Sequence, residues 1–526
     1  MKGLQFETQA PIVAADPNRA DIACFVGFVA RRTKSPLPSF IRAWMHDNGL
    51  TASRLGRPGF DPETLADVPV PIDSWELFHR LFLWERRTTE RTEATYLGAA
   101  VRSFFSQGGR KCYVIRVGDS WSYGLSRAVR VARIDDLIPG GTAGQVTCTP
   151  LDRKSWSGVG HIYGLPDISY LCIPDLAEIF AVDPEPGVPP DLPRDPEQFV
   201  ECGTEPADPV AGDPVRWASA PRCDAVAMRE WASAINLLGN MLVRRQRELQ
   251  LVAALPLPEA GTDVERDCHG WLSDATGGIL DAGLAESVRP GVASAFVQLG
   301  FPWVRTAGSY ALPEQLESPD GVLVGVLARN ALSRGSFKSA AGLPLVEVSD
   351  VWPGWGVEQF DRPPTGSGVH GTRPRTMRER VSIIGQTPQG FALLSDVTTS
   401  LDEGYRPACV NRLVAALVRA ARRTGEELVF EPSGEFLWGR IRQELQRLLT
   451  GLFQSGAFRG GTPTEAFTVR CDRSTMTQHD LDAGRVVVSM QFQAALPIER
   501  ITVVLGLHEG GQVALLSSEG SEAVLS

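Results

Sequence analysis

Residues 95–118, TYLGAAVRSFFSQGGRKCYVIRVG, decide how this chain is to be read. Leu97, Ala100, Val101, Phe104 and Phe105 recur at helical spacing on one face, and Gly108 and Gly109 supply the stop that a helix C-terminus favours. Cys112 to Val117 is then a largely apolar run without alternation, the pattern of a strand buried on both faces. A helix leading straight into such a strand is half of a βαβ unit, and the pattern extends both ways. Upstream, Ile22 to Val29 is a continuous apolar strand. Downstream, ISYLCIPD (168–175) is another, VAMREWASAINLLGNMLVRR (226–245) is a long amphipathic helix, and LVAALPL (251–257) is the strand that follows it. Ser318 and Pro319 form an N-cap and a first-turn proline for the helix GVLVGVLARNAL (321–332). An α/β domain with a largely parallel sheet is predicted over 21–360.

At 526 residues the chain is too long for one ordinary core, so two or three domains are expected. Its 43% hydrophobic and 22% charged content is that of a folded, soluble protein. A net charge of -10 argues against nucleic acid as a partner, because such domains carry a basic patch. The opening MKGLQFETQAPIVAADP has no apolar run of signal-peptide length, and no later run is long enough to span a bilayer. Synthesis in the cytoplasm and no membrane insertion are the expectations. Nine cysteines, none in a CxxC pair, read as buried thiols in a reducing compartment.

Two stretches interrupt the α/β grammar. Residues 118–160 are rich in Gly, Ser and Arg, and residues 184–221 hold ten of the 38 prolines, so both are expected as surface excursions. Residues 361–378 form a Gly/Pro-rich linker. Beyond it, 379–508 reads as a compact α+β domain. One helix spans about 407–423 and buries Val410, Leu413, Val414 and Leu417; a second spans about 435–455 and buries Leu437, Ile441, Leu445, Leu448, Leu449 and Leu452. Three strands follow, with Phe467/Val469/Cys471, Val486/Val488/Met490/Phe492 and Ile501/Val503/Leu505/Leu507 on one face. The ends, 1–20 and 509–526, read as arms. In the first, Leu4, Phe6 and Thr8 alternate as in a short strand.

Candidate chemistry is sparse. Cys471, Asp472, His479, Asp480 and Asp482 cluster before a strand, but DLDAG lacks the third oxygen ligand and the twelfth-position glutamate of a calcium loop, and one Cys with one His makes no zinc site. Gly366, Gly368 and Gly371 match GxGxxG with no strand before them and no helix after, so the phosphate-cradling geometry is absent. No catalytic, cofactor or metal site is implied. The rival reading is a hydrolase built on Asp175, at the carboxyl end of the 168–174 strand, and His161, although no serine carries a nucleophile signature. More specific is a stripe of Arg412, Arg419 and Arg423 on the 407–423 helix, opposite its apolar face. It suits either a solvated face or a docking surface for an acidic partner.

In number and order the segments ADIACFVGFV, TYLGAAVRSFFSQGGRKCYVIRV, LGFPWVRT, GVLVGVLARNALSRGSFKSAAG, GFALLSDVTTSLDEGYRPACVNRL, FEPSGEFLW and AFTVRCDRSTMTQHDLDAGRVVVSMQFQAALPIERI resemble the tail sheath family. Its members form the contractile sheaths of phage tails, tailocins and extracellular contractile injection systems. The resemblance implies a subtilisin-like middle α/β domain that is not an enzyme, and an inner C-terminal α+β domain. It implies arms that add strands to neighbouring subunits, and stacked hexameric rings around an inner tube with baseplate and cap proteins at the ends. The tube-facing residues would then be Arg412, Arg419 and Arg423, or Arg440, Arg447 and their neighbours on the second helix. A non-contractile baseplate component is the second alternative.

Overall fold

The computed structural model describes residues 20–33, 35–50, 61–87, 94–184, 219–259, 268, 292–362, 375–428, 431–432, 434–482 and 484–495, and the backbone of 501–507 and 513–515. The proposed strand of Leu4, Phe6 and Thr8, most of the 184–221 excursion and the Gly366/Gly368/Gly371 loop lie outside the described residues.

The helix read from 95–118 is α1 (Tyr96–Ser106). Thr95 caps it, its hydroxyl accepting from the Gly98 amide at 3.1 Å, and Gly108 closes it at φ +104°, a conformation that strains any residue with a Cβ. Eight strands form the main sheet: β1 (Ala23–Phe28), β2 (Pro69–Ile72), β3 (Cys112–Gly118), β4 (Tyr170–Cys172), β5 (Gln250–Ala254), β6 (Val297–Phe301), β7 (Ser382–Thr387) and β8 (Gly390–Leu393). Their order is β8-β7-β6-β5-β4-β1-β3-β2. The six central strands are parallel, and an antiparallel strand closes each edge. Registers such as Ala23↔Cys112 and Ala23↔Tyr170 put β1 in the middle, where all six of its residues are buried. Parallel central strands require helices on the sheet faces. These include α1, α2 (Ala225–Arg245) and α3 (Asp320–Ser333). α1 and α3 touch backbone to backbone: a Cβ on Gly321 would lie 2.3 Å from the Ala100 carbonyl oxygen.

The sheet runs further along the chain than its composition suggests. Residues 382–393, read as the start of the C-terminal unit, belong to the main sheet through Gly300↔Ser382 and Phe301↔Ile383. The Gly/Pro-rich 361–378 stretch thus precedes the last two strands of the sheet and does not follow its end. The first hydrophobic core runs from Ile22 to Leu393, the second from Cys409 to Ala494. The 118–160 excursion is also less peripheral than expected, since Ile134, Leu137, Ile138 and Val159 are buried in the first core.

The second core is built on α4 (Ala408–Leu428) and α5 (Glu435–Gln454). They lie against an antiparallel sheet of β9 (Phe467–Arg470), β10 (Val486–Phe492), β11 (Ile501–Leu507) and β12 (Val513–Leu515). The pairs Val469↔Met490, Phe467↔Phe492, Val488↔Leu505 and Met490↔Val503 align the residues whose alternation placed them on one face.

Candidate functional site

An open α/β sheet binds ligands where strand order reverses, outside the carboxyl ends of the strands. Here that place lies at the ends of β1 and β4. Asp175 fills it. One carboxylate oxygen accepts from the Phe28 amide at 2.7 Å, closing the end of β1, and the other accepts from the Leu97 amide in the first turn of α1 at 3.2 Å. Gly27 makes the room, because a Cβ there would stand 2.4 Å from the same carboxylate. Burial pushes the Asp175 carboxyl up to about 7, opposed by the two amides and by Arg87, whose guanidinium is paired with the buried Glu178 at 2.5 Å. Its oxygens are therefore committed to backbone.

His161 is not beside it. The imidazole is buried and its Nε2 lies 3.0 Å from Asp67, which also accepts from the Gly158 amide at 2.8 Å. Among the described residues no hydrogen bond joins Asp175 to His161, so the two groups of the hydrolase reading are not brought together. The Cys471–Asp482 cluster is a pair of capped turns. Asp472 accepts from the Ser474 amide at 2.7 Å and Asp480 from the Thr477 amide at 2.9 Å, while Cys471 points into the second core.

The arginine stripe of α4 is turned inward, contrary to its expected exposure. Arg412 and Arg419 are 4% and 1% exposed, and Arg423 is half-buried. Arg412 forms a bidentate pair with Asp396, Nη1 at 3.0 Å and Nη2 at 2.5 Å, and its Nε donates to the Ser336 carbonyl at 3.2 Å. Arg419 donates to the carbonyls of Ile168 and Glu248 at 2.9 and 3.1 Å, and Arg422 meets the Glu248 carboxylate at 2.9 Å. These bonds tie α4 to the amino ends of β4 and β5. Burial alone would raise Asp396, but Arg412 overrides it and holds the carboxyl below its ordinary range; burial lowers Arg419, only partly offset by Glu248. The misreading has a physical cause. The apolar stripe of Val410, Leu413 and Leu417 faces the second core, while on the other side the small Ala415 lets the helix close against Tyr170 and Gln250 of the main sheet. Small residues around the rest of the helix were the available signal. Asp396 and Glu248, the partners, carry no sequence mark of their own.

The outward helix face belongs to α5. Leu437, Ile441, Leu445, Leu449 and Leu452 are buried, whereas Phe436 is 82% exposed and Arg440 and Arg447 project with it. Their ion pairs, Arg440 with Glu431 and Arg447 with Glu444, are exposed and weak. Among the described residues β9 pairs on one side only, with β10, and presents Thr468 and Arg470 to solvent. Among the described residues no helix is long and apolar enough to cross a membrane.

No protein-family model and no curated protein matches the chain. Solved structures do share its fold over nearly its whole length. A chain of the anti-feeding prophage baseplate in contracted state is 16% identical with a TM-score of 0.53, over 99% of both chains. A chain of the PVC sheath complex of an extracellular contractile injection system, in contracted state, is 16% identical with a TM-score of 0.52, over 95% of this chain and 96% of that one. A chain of the anti-feeding prophage helical sheath in contracted state is 19% identical with a TM-score of 0.50, over 95% and 97%.

Proposed function

We propose that this chain is the structural subunit of a contractile sheath. It polymerises around an inner tube as stacked hexameric rings and contracts to drive the tube through a target envelope. The observation that carries this reading is two-way coverage: fold likeness extends over 95% of this chain and 96% of a contracted PVC sheath chain, leaving no large part of either unaccounted for. The filled switch point supports a non-enzymatic role, since Asp175 occupies the place a substrate would need. Free energy for contraction would come from the lattice itself, an extended state trapped kinetically and released once.

In this proposal 21–360, with β7 and β8 added to it, is the middle domain, and the unit beginning at α4 is the inner one. The tube meets the Phe436/Arg440/Arg447 face of α5, since Arg412 and Arg419 have no accessible surface to offer. The arms pair with the inner sheets of neighbouring copies, Leu4, Phe6 and Thr8 in the first and, within 509–526, the residues beyond β12, which itself pairs with this chain's own β11; backbone hydrogen bonds of that kind hold while domains rotate. Baseplate and cap proteins terminate the polymer, and assembly takes place in the cytoplasm. Electron microscopy of the purified protein tests the reading. Rings or tubes are expected, and deletion of 1–18 should abolish them while leaving the circular dichroism unchanged. A monodisperse monomer that turns over an ester or peptide would overturn it.

A further inference from the structure

The seam between α4 and the main sheet carries polar groups on both sides, and it holds a small cavity of about 10 Å³. From the sheet side it is lined by Ala20, Glu248, Ser169, Tyr170 and Gln250, the last three being 6%, 0% and 2% exposed. Ser169 Oγ, Tyr170 Oη and both amide atoms of Gln250 have no hydrogen-bond partner among the protein groups around them. The groups facing them from α4 are largely engaged elsewhere, Arg419 among them, its Nη2 donating to the carbonyls of Ile168 and Glu248. The Arg412 guanidinium is committed to Asp396 and the Ser336 carbonyl, Asn411 donates to the Ala295 carbonyl at 2.6 Å, and Ala415 offers only a methyl. Buried polar groups left unpaired are unfavourable, and a cavity stays dry only when its lining is apolar. This cavity has the volume of about one water and several polar atoms to hold it, where a water needs two to four.

We infer that the seam cavity is a binding site for one ordered water. It is held by Tyr170 Oη, Ser169 Oγ and the Gln250 amide, and joins the amino ends of β4 and β5 beneath α4. Water fits better than an anion. Arg412 and Arg419 border the cavity, but Arg412 is paired with Asp396, Arg419 has the Glu248 carboxylate 4.0 Å away to offset part of its charge, and a halide is larger than the space. The inference is independent of the sheath reading.

The test is a map of the full chain, alone or polymerised, at a resolution that shows ordered water, collected once in chloride and once in bromide. One peak within hydrogen-bond distance of Tyr170 Oη and the Gln250 amide, unchanged by bromide, is the expected result. A peak that bromide replaces would make it an anion site. No peak, with Gln250 bonded directly to Tyr170 or Ser169, would remove the site altogether. A second readout follows from the energetics. Gln250→Leu strips the water of two partners, so hydrogen exchange of α4 amides near Ala415 should quicken roughly fivefold to a hundredfold, with α5 unaffected. Adding Tyr170→Phe should slow it again, because it removes a buried hydroxyl that would otherwise be left unpaired. Equal rates in wild type and Gln250→Leu would count against a water held there.

Discussion

Replacing Arg412 by Met asks how far the docking of α4 depends on a buried charge. Met keeps most of the side chain's length and removes the guanidinium. Asp396, with no side-chain exposure, would retain only Gln298 Nε2 at 3.0 Å and the Ala340 amide at 2.8 Å, and the Ser336 carbonyl would lose its donor. Removing one partner of a buried ion pair costs about 3–5 kcal/mol, because the remaining charge is uncompensated. The two neutral donors to Asp396 pull toward the lower end, and the orphaned carbonyl pushes back by about 1 kcal/mol or more. A deficit of about 3–4 kcal/mol near pH 8 is therefore expected. Its pH dependence has a definite sign. In the wild type Arg412 holds Asp396 below its unfolded pKa, so the contribution is full above that pKa and lost as pH falls through the lower folded one. Without Arg412, burial dominates and the folded pKa moves above the unfolded value. The folded state then takes up a proton, and the deficit should shrink from pH 8 to pH 5. Because two cores can unfold separately, the assay is hydrogen exchange of residues 408–428 beside chemical denaturation, at concentrations where the chain is unassembled. Arg412→Met with Asp396→Leu should recover most of the loss. A deficit below about 1 kcal/mol, equal at both pH values and additive in the double variant, would refute a structural role for the pair.

Three further outcomes are expected. Burial pushes the Glu317 carboxyl up to about 8 against hydrogen bonds from Ser103 and Thr306, so its folded pKa exceeds the unfolded one and stability should fall as pH rises from about 4.5 to 8; Glu317→Gln should flatten that slope in thermal unfolding. Gly321→Ala places a Cβ against the Ala100 carbonyl and should destabilise by about 1–3 kcal/mol in urea titration, with α1 and α3 forced apart. Arg440→Glu with Arg447→Glu on the exposed face of α5 should leave unfolding unchanged within about 0.5 kcal/mol yet yield sheaths empty of tube by electron microscopy, raised salt weakening wild-type association likewise. Normal filled particles from that variant would rule out α5 as the tube-facing helix.

Local periodicity carried the regular elements well. The α1 to β3 passage, the long helix at 225–245 and the strands β9 to β11 were legible, because apolar spacing within one segment fixes its face whatever lies across from it; their register was not. What sequence could not show is which second surface a segment meets. α4 reads as amphipathic because its large apolar residues share a stripe, and that rule equates the polar stripe with solvent. In the structure Arg412 and Arg419 of the polar stripe are buried too, met by Asp396, Glu248 and three carbonyls that lie 16 to 251 residues away in sequence. The misplacement of β7 and β8 is the same failure. A Gly/Pro-rich stretch signals a loop, and only pairing with β6 tells on which side of it the sheet ends.

The contrast between Asp175 and the α4 seam bears on what such a fold can do. At the switch point two backbone amides converge on a site that a doubly wound enzyme would leave open for substrate; here one carboxylate meets both, and Gly27 allows it to reach them. At the seam, charge is again buried and again answered from within the chain, by Asp396 for Arg412 and by Glu248 for Arg419 and Arg422. Polar groups that an enzyme would present to a ligand are thus spent on joining strand ends to helices. An apolar seam would tolerate many neighbouring orientations of α4 at similar energy, whereas the bidentate Arg412–Asp396 pair and the carbonyl contacts of Arg419 reward only one. Under the sheath function proposed above, that would be the useful property: load applied at the second core would reach the main sheet through a joint with one favoured geometry. The Arg412→Met variant should therefore broaden the orientation of the inner unit in cryo-EM maps even at pH 5, where its loss of stability is smallest. A sharply defined inner unit in that variant would mean that packing alone sets the geometry.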